Sequence, residues 1–195
     1  MLRLLPEAPA HRPAREALLD RCFGPARHRK TCELLRRDRS PVADLAFSLI
    51  EGKSLIGTVR LWHVTAGSAG PALLLGPVAV TPGRQSHGLG ALLMRHGLAE
   101  AERLGHGAIL LVGDGPYYTR FGFGRSLTEG LAQPGPVERE RFLGLELLPG
   151  SLAGACGMVF ASGAIESMPD IAAIAALHSF RHTERHSNLT HASAR

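Results

Sequence analysis

The residues best placed to do chemistry lie in one run, Leu75-Gly-Pro-Val-Ala-Val80-Thr-Pro-Gly-Arg84-Gln-Ser-His-Gly88-Leu-Gly90-Ala-Leu-Leu-Met94. A strand-like apolar stretch passes into a polar, glycine-bearing loop, and the loop passes into a helical pattern. That order builds an anion site. The first N–H groups of a helix lack intrahelical partners, and the helix dipole adds partial positive charge there. Gly88 and Gly90 let the backbone approach a phosphate, and Arg84 and His87 add donors beside it.

Several readings of this loop compete. A dinucleotide-binding protein with Gly-x-Gly-x-x-Gly would need glycine or alanine where the chain has Leu93, and glycines directly after the strand, where Thr81 to His87 intervene. Asp114, after the next strand, keeps that reading open. A second reading is a plain connection whose glycines only turn the chain. A third is Gln-x-x-Gly-x-Gly, here Gln85-Ser-His-Gly88-Leu-Gly90. Elsewhere, Gly52-Lys-Ser54 lacks the glycine of a phosphate-binding P-loop, because position 47 is Phe47.

The elements that must position this loop follow from periodicity. Leu2 to Leu5 reads as a strand, Arg12 to Phe23 as a helix, and Arg27 to Arg37 as a second helix. Val42 to Glu51 and Leu55 to Val64 alternate about Gly52-Lys53, which predicts a hairpin. Leu73 to Val80 is apolar enough for a strand buried on both faces. Gly88 to Leu104 carries a helical stripe of Leu89, Leu92, Leu93, Ala101 and Leu104, stopped by Gly105. Ala108 to Val112, Leu143 to Leu148 and Gly157 to Ala161 read as further strands. The pattern is one mixed α/β domain over residues 1–165, followed by a poorly ordered tail over 166–195.

The glycine loop and its surroundings resemble the GNAT N-acetyltransferase superfamily. Gln85 to Gly90 is similar to its acyl-CoA motif, and Gly76 to Pro82 to the strand before it. Leu110-Leu-Val-Gly-Asp-Gly-Pro116-Tyr-Tyr-Thr-Arg-Phe-Gly-Phe123 is similar to its second signature. Leu145 to Leu152 resembles the closing region of the YhbS-like subgroup, so the likeness spans residues 2 to 161. It implies a mixed, partly splayed β-sheet flanked by helices, with acetyl-CoA as co-substrate. By the same resemblance, the backbone of Val78, Ala79 and Val80 would hold the pantetheine arm and polarise the thioester carbonyl. Arg84, Gln85, Ser86, His87, Gly88, Leu89, Gly90 and Ala91 would hold the pyrophosphate. Tyr118 would stand near the coenzyme sulfur, as acid or hydrogen-bond donor. The implied reaction is direct attack by a primary amine, on a small molecule or a protein. A non-catalytic acyl-CoA-binding or sensing module is the alternative, because Leu73 to Val80 contains no carboxylate to act as base. Glu51, His63 and Asp114 are candidates for that role, with His63 first.

The remaining features bound the function. The net charge is +5 and the pI about 9.7, yet aromatics are only 5% and no recognition motif appears, so no nucleic-acid partner is expected. No apolar run reaches the roughly 18–20 residues that span a bilayer, so no membrane partner is expected. Cys22, Cys32 and Cys156 form no disulfide framework, which points to a cytoplasmic protein. His178, His182 and His186 recur at helical spacing without a carboxylate or cysteine to complete a metal set, so no metal is expected. A homodimer is left open.

Overall fold

Among the residues described in the computed structural model, 1–166, eight strands form one mixed sheet. Strand β1 (Leu2–Pro6) pairs antiparallel with β2 (Ala46–Glu51), β2 with β3 (Ser54–Ala66), and β3 with β4 (Pro71–Val80). Strand β4 then meets β5 (Ala108–Val112) in parallel, and β5 meets β7 (Phe142–Glu146) antiparallel. Short β6 (Gly130–Ala132) and β8 (Cys156–Ala161) pair with each other, and β8 also pairs with the far end of β3. Residues Met1–Ala164 form one compact unit. The expected tail beyond Glu166, with His178, His182 and His186, lies outside the described residues.

Helices cover both faces of the sheet. Helix α1 (Arg12–Phe23) buries Leu18 and Leu19 against Ile50, Leu55 and Ala79. Helix α3 (Leu89–Arg103) turns Leu93, Met94 and Ala101 onto Val59, Leu61 and Leu75 on the opposite face. At about 1.5–3 kcal/mol per buried aliphatic side chain, these two stripes hold the glycine loop at a fixed place on the sheet.

The hairpin forms as its alternation requires, with Ile50 opposite Leu55 and Glu51 opposite Ser54 around a turn at Gly52-Lys53. It is shorter at its start than the sequence suggests. The Leu45 N–H bonds back to the Val42 carbonyl, and Asp44 has a φ of 63°, so a turn occupies the approach and the strand begins at Ala46.

The expected second helix does not form as one piece. A 3-10 turn (Pro25–Arg29) is followed by extended Lys30 and by a short helix, α2 (Thr31–Leu34). Local tethers account for the break. Arg27 bonds back to Asp20 and Glu16 of α1, while the Thr31 hydroxyl bonds forward to the Pro136 carbonyl. Two further elements carry no clear periodicity: β6 and the single-turn helix α4 (Gly115–Thr119).

Candidate active site

The sheet opens at its centre. Strands β4 and β5 pair only at Leu73 with Ile109 and at Leu74 with Leu110. Beyond these pairs β4 continues to Val80 beside β3, while β5 stays with β7 as far as Val112 opposite Phe142. On its β5 side, the backbone of β4 past Leu74 therefore has no strand partner. Unpaired backbone groups seek other partners, and the gap is a cleft into which an extended ligand can insert. A cavity of about 680 Å³ occupies it, walled by Leu75, Gly76 and Val78 on one side and by Leu111, Val112 and Gly113 on the other. The β4 wall is held by Trp62, whose indole N–H donates to the Gly76 carbonyl at 2.6 Å.

The glycine loop lies at the outer end of β4. Gln85 Nε2 donates to the Val80 carbonyl at 3.1 Å, folding the loop back on the strand, and His87 Nδ1 donates to the Gln85 carbonyl at 2.6 Å. Ser86 and Gly88 both have left-handed backbones, with φ of 63° and 76°. Left-handed residues placed next to residues of ordinary φ turn successive backbone N–H groups toward one concave side. Gly88 is the N-terminal cap of α3, so Leu89, Gly90 and Ala91 present first-turn N–H groups beside it. A Cβ on Gly88 would meet nothing within 4 Å. Gln85, Ser86, His87 and Gly88 are exposed, and Arg84 is half-buried and ion-paired with Glu51. Val78, Ala79 and Val80 lie between this loop and the cleft.

Tyr118 stands on the opposite lip, in α4. Its ring lies so close over Gly113 that a Cβ there would come within 2.1 Å of it. Phe123 and Tyr117 pack edge-on to it, at centroid distances of 6.1 and 5.0 Å. Burial pushes the Tyr118 phenol up to about 12; neighbouring Tyr117 and Asp114 add to the rise, and Arg141 opposes it. The Tyr117 hydroxyl reaches across to the first turn of α3, 3.1 Å from the point a side chain at Gly90 would occupy. The chain thus brings the two sequence signatures into contact at one opening.

The model of the acetyltransferase (GNAT) family matches residues 13–123, more than half of the chain. The chain belongs to the GNAT acetyltransferase family. The GNAT family N-acetyltransferase YhbS from Escherichia coli, solved in complex with CoA, is 25% identical. The match covers 83% of this chain and 89% of that one, with a TM-score of 0.69. A GNAT family acetyltransferase from Brucella melitensis, solved with acetyl-CoA, is also 25% identical over 76% of this chain and 90% of that one, with a TM-score of 0.60. The ribosomal-protein-S18-alanine N-acetyltransferase of Escherichia coli shares the fold at 17% identity, covering 76% and 95% of the two chains with a TM-score of 0.53. No curated protein matches the chain.

Around this opening the three candidate bases separate. Asp114 lines the cavity. Glu51 is committed to Arg84 at the glycine loop. His63, the first candidate, is exposed on β3 with its ring 5.6 Å from that of His106, and it does not line the cavity. Other cavity residues carry no signal in the sequence. Glu33 and Arg36 come from the broken second helix, and Gln133 from the loop after β6. No group of three potential metal ligands occurs among the described residues, and no helix there is long and apolar enough to cross a membrane.

Proposed function

We propose that the protein transfers an acetyl group from acetyl-CoA to a primary amine, by direct attack with donor and acceptor bound together. The observation that carries this reading is the opening between β4 and β5, lined by Tyr118, with the glycine loop at the end of β4 and in reach of the neighbouring Tyr117. The family and the two relatives solved with CoA and acetyl-CoA support the donor. The acceptor is a small-molecule or protein amine.

Each part has a task. The first-turn N–H groups of Leu89, Gly90 and Ala91, with the loop at Ser86 to Gly88, neutralise the pyrophosphate. The unpaired edge of β4 at Val78 to Val80 receives the pantetheine arm and polarises the thioester carbonyl, where charge develops as the amine nitrogen bonds to carbon. As the carbon–sulfur bond breaks, Tyr118 donates a hydrogen bond to the departing thiolate. Full proton transfer is disfavoured: an ordinary thiol has a pKa near 8.5, so a phenol near 12 gives up its proton at a cost of roughly 5 kcal/mol. Tyr118 therefore steadies the sulfur, and solvent completes its protonation. The amine's proton leaves through the cavity mouth, where Asp114 is exposed.

The test is calorimetric titration with acetyl-CoA followed by thiol release across a panel of primary amines. Binding in the micromolar range with amine-dependent release is the expected result. Binding without release from any amine would leave a sensing module, and no binding would sink the proposal.

A further inference from the structure

Three buried polar atoms on the cavity's walls have no hydrogen-bond partner: Nε of Arg36, and both Nε2 and Oε1 of Gln133. The Arg36 side chain is 10% exposed and Gln133 is 6% exposed. Buried polar groups are nearly always satisfied, so an unpartnered Nε on Arg36 and a wholly unpartnered amide on Gln133, both on residues that line one cavity, call for a ligand group. They come from distant parts of the chain, Arg36 just after α2 and Gln133 just after β6, and local packing of one segment does not explain both.

The donor types define what that group is. Arg36 can only donate. Its Nη2 is held by Glu33 at 2.9 Å, and its Nη1 lies 3.6 Å from the point a side chain at Gly76 would occupy. The guanidinium therefore borders the gap where β4 leaves β5. The neighbouring cation Arg27 is spent on Glu16 and Asp20. A planar anion with two oxygens suits a guanidinium edge together with an amide N–H, and a carboxylate is such a group. Gln133 Oε1 then accepts from a donor on the same molecule. A cavity of about 680 Å³ lies within the usual range for small-molecule sites.

We propose that the acceptor is a small amine that carries a carboxylate, of the amino-acid class, with the carboxylate held by Arg36 and Gln133 and the amine directed to the opening of β4. This rests on the acetyl-transfer reading above and names the substrate class for it.

The test uses matched pairs of amino acids and their carboxamides, read by thiol release and by calorimetry in the presence of CoA. Wild type should favour the acids in KM and Kd by about 10- to 100-fold, the worth of a hydrogen-bonded charge pair. Arg36→Gln should abolish that preference by weakening the acids alone, with amides and acetyl-CoA unaffected. Gln133→Leu should weaken the acids independently, which guards against a misfolded Arg36 variant. Glu33→Gln should act with the opposite sign, tightening the acids by freeing Nη2 of Arg36. Equal treatment of acids and amides by wild type, or a loss for both in Arg36→Gln, overturns the inference. Arg36-dependent carboxylate binding without thiol release would uphold the site and strike the acetyl-transfer reading instead.

Discussion

The two ends of the cleft are built by different means. The glycine loop is one continuous segment, residues 82–91, exposed and made almost wholly of backbone geometry. The proposed acceptor wall is assembled from side chains near residues 27–36, 113–118 and 133–141, and it keeps buried polar atoms unsatisfied. The difference follows from the ligands. A pyrophosphate is met by N–H groups that any sequence supplies once the turn is right. An acceptor must be distinguished by its own shape and charge, which only side chains brought from several elements can read. In the proposed reading, donor recognition is therefore local in the chain and acceptor recognition is not.

The sharpest way to break this comparison is at the lip that serves both ends. Gly113→Ala would place a methyl 2.1 Å from the Tyr118 ring, so the ring must leave its position. Turnover should fall about 100-fold, as expected when a positioned group is displaced by an ångström or so, while acetyl-CoA affinity in calorimetry changes less than 2-fold. Full turnover in this variant would show that Tyr118 plays no part. Tyr118→Phe keeps the ring and removes only the hydroxyl; kcat should fall about 30-fold, the worth of one hydrogen bond to a developing charge. A fall beyond about 1000-fold would instead indicate obligatory proton donation.

The same hydroxyl predicts an alkaline signature. Its folded pKa of about 12 lies above the value near 10 expected for an unfolded tyrosine. The stability from keeping the phenol neutral is fully present below pH 10. It is lost as pH rises from 10 through 12, because only the unfolded chain ionises in that window. The loss is roughly 2–3 kcal/mol. The chain has two tyrosines, so an absorbance titration of Tyr117→Phe follows Tyr118 alone. A midpoint near 10 there would remove the burial argument for its role.

The contrast between the two ends also explains what could be read from the sequence. Helix α1 places its buried leucines at Leu18 and Leu19 and strand β5 is a continuous apolar run, and the expected limits agree with Arg12–Phe23 and Ala108–Val112. The turn into α3 was legible because its residues are consecutive. The break at Lys30 was not, since it depends on ties from Arg27 to α1 and from Thr31 to Pro136, distant in the chain. Arg36 reads as one more surface arginine on an expected helix, and Gln133 as part of the loop Gln133-Pro-Gly-Pro136. Only the folded chain shows that both line one cavity. His63 lies away from the cavity for the converse reason: nearness in sequence to β4 does not fix where along the strand pair its ring sits, and it stands opposite Leu73, at the end where β4 is still paired with β5.

Smaller effects should follow at the glycine loop, where geometry is backbone and exposure is high. Gly88→Val puts a branched side chain on a left-handed residue, at a cost of roughly 1–2 kcal/mol in stability, and fills open space beside the first turn of α3. Acetyl-CoA affinity should drop about 10-fold with kcat nearly unchanged; unaltered affinity would detach the pyrophosphate from this turn.

Glu51→Gln should have the smallest effect, and its sign is informative. Glu51 pairs with Arg84, but both side chains are substantially exposed, at 39% and 43%, so solvent screens the pair and its loss should change stability by less than about 1 kcal/mol. In the proposed reading the pair competes with a phosphate for Arg84. Releasing it should tighten acetyl-CoA about 2- to 3-fold, more clearly at low salt, where exposed charges act at longer range. Weaker binding in the variant would mean that Glu51 holds Arg84 in its working position, making the donor end depend on a side-chain contact after all.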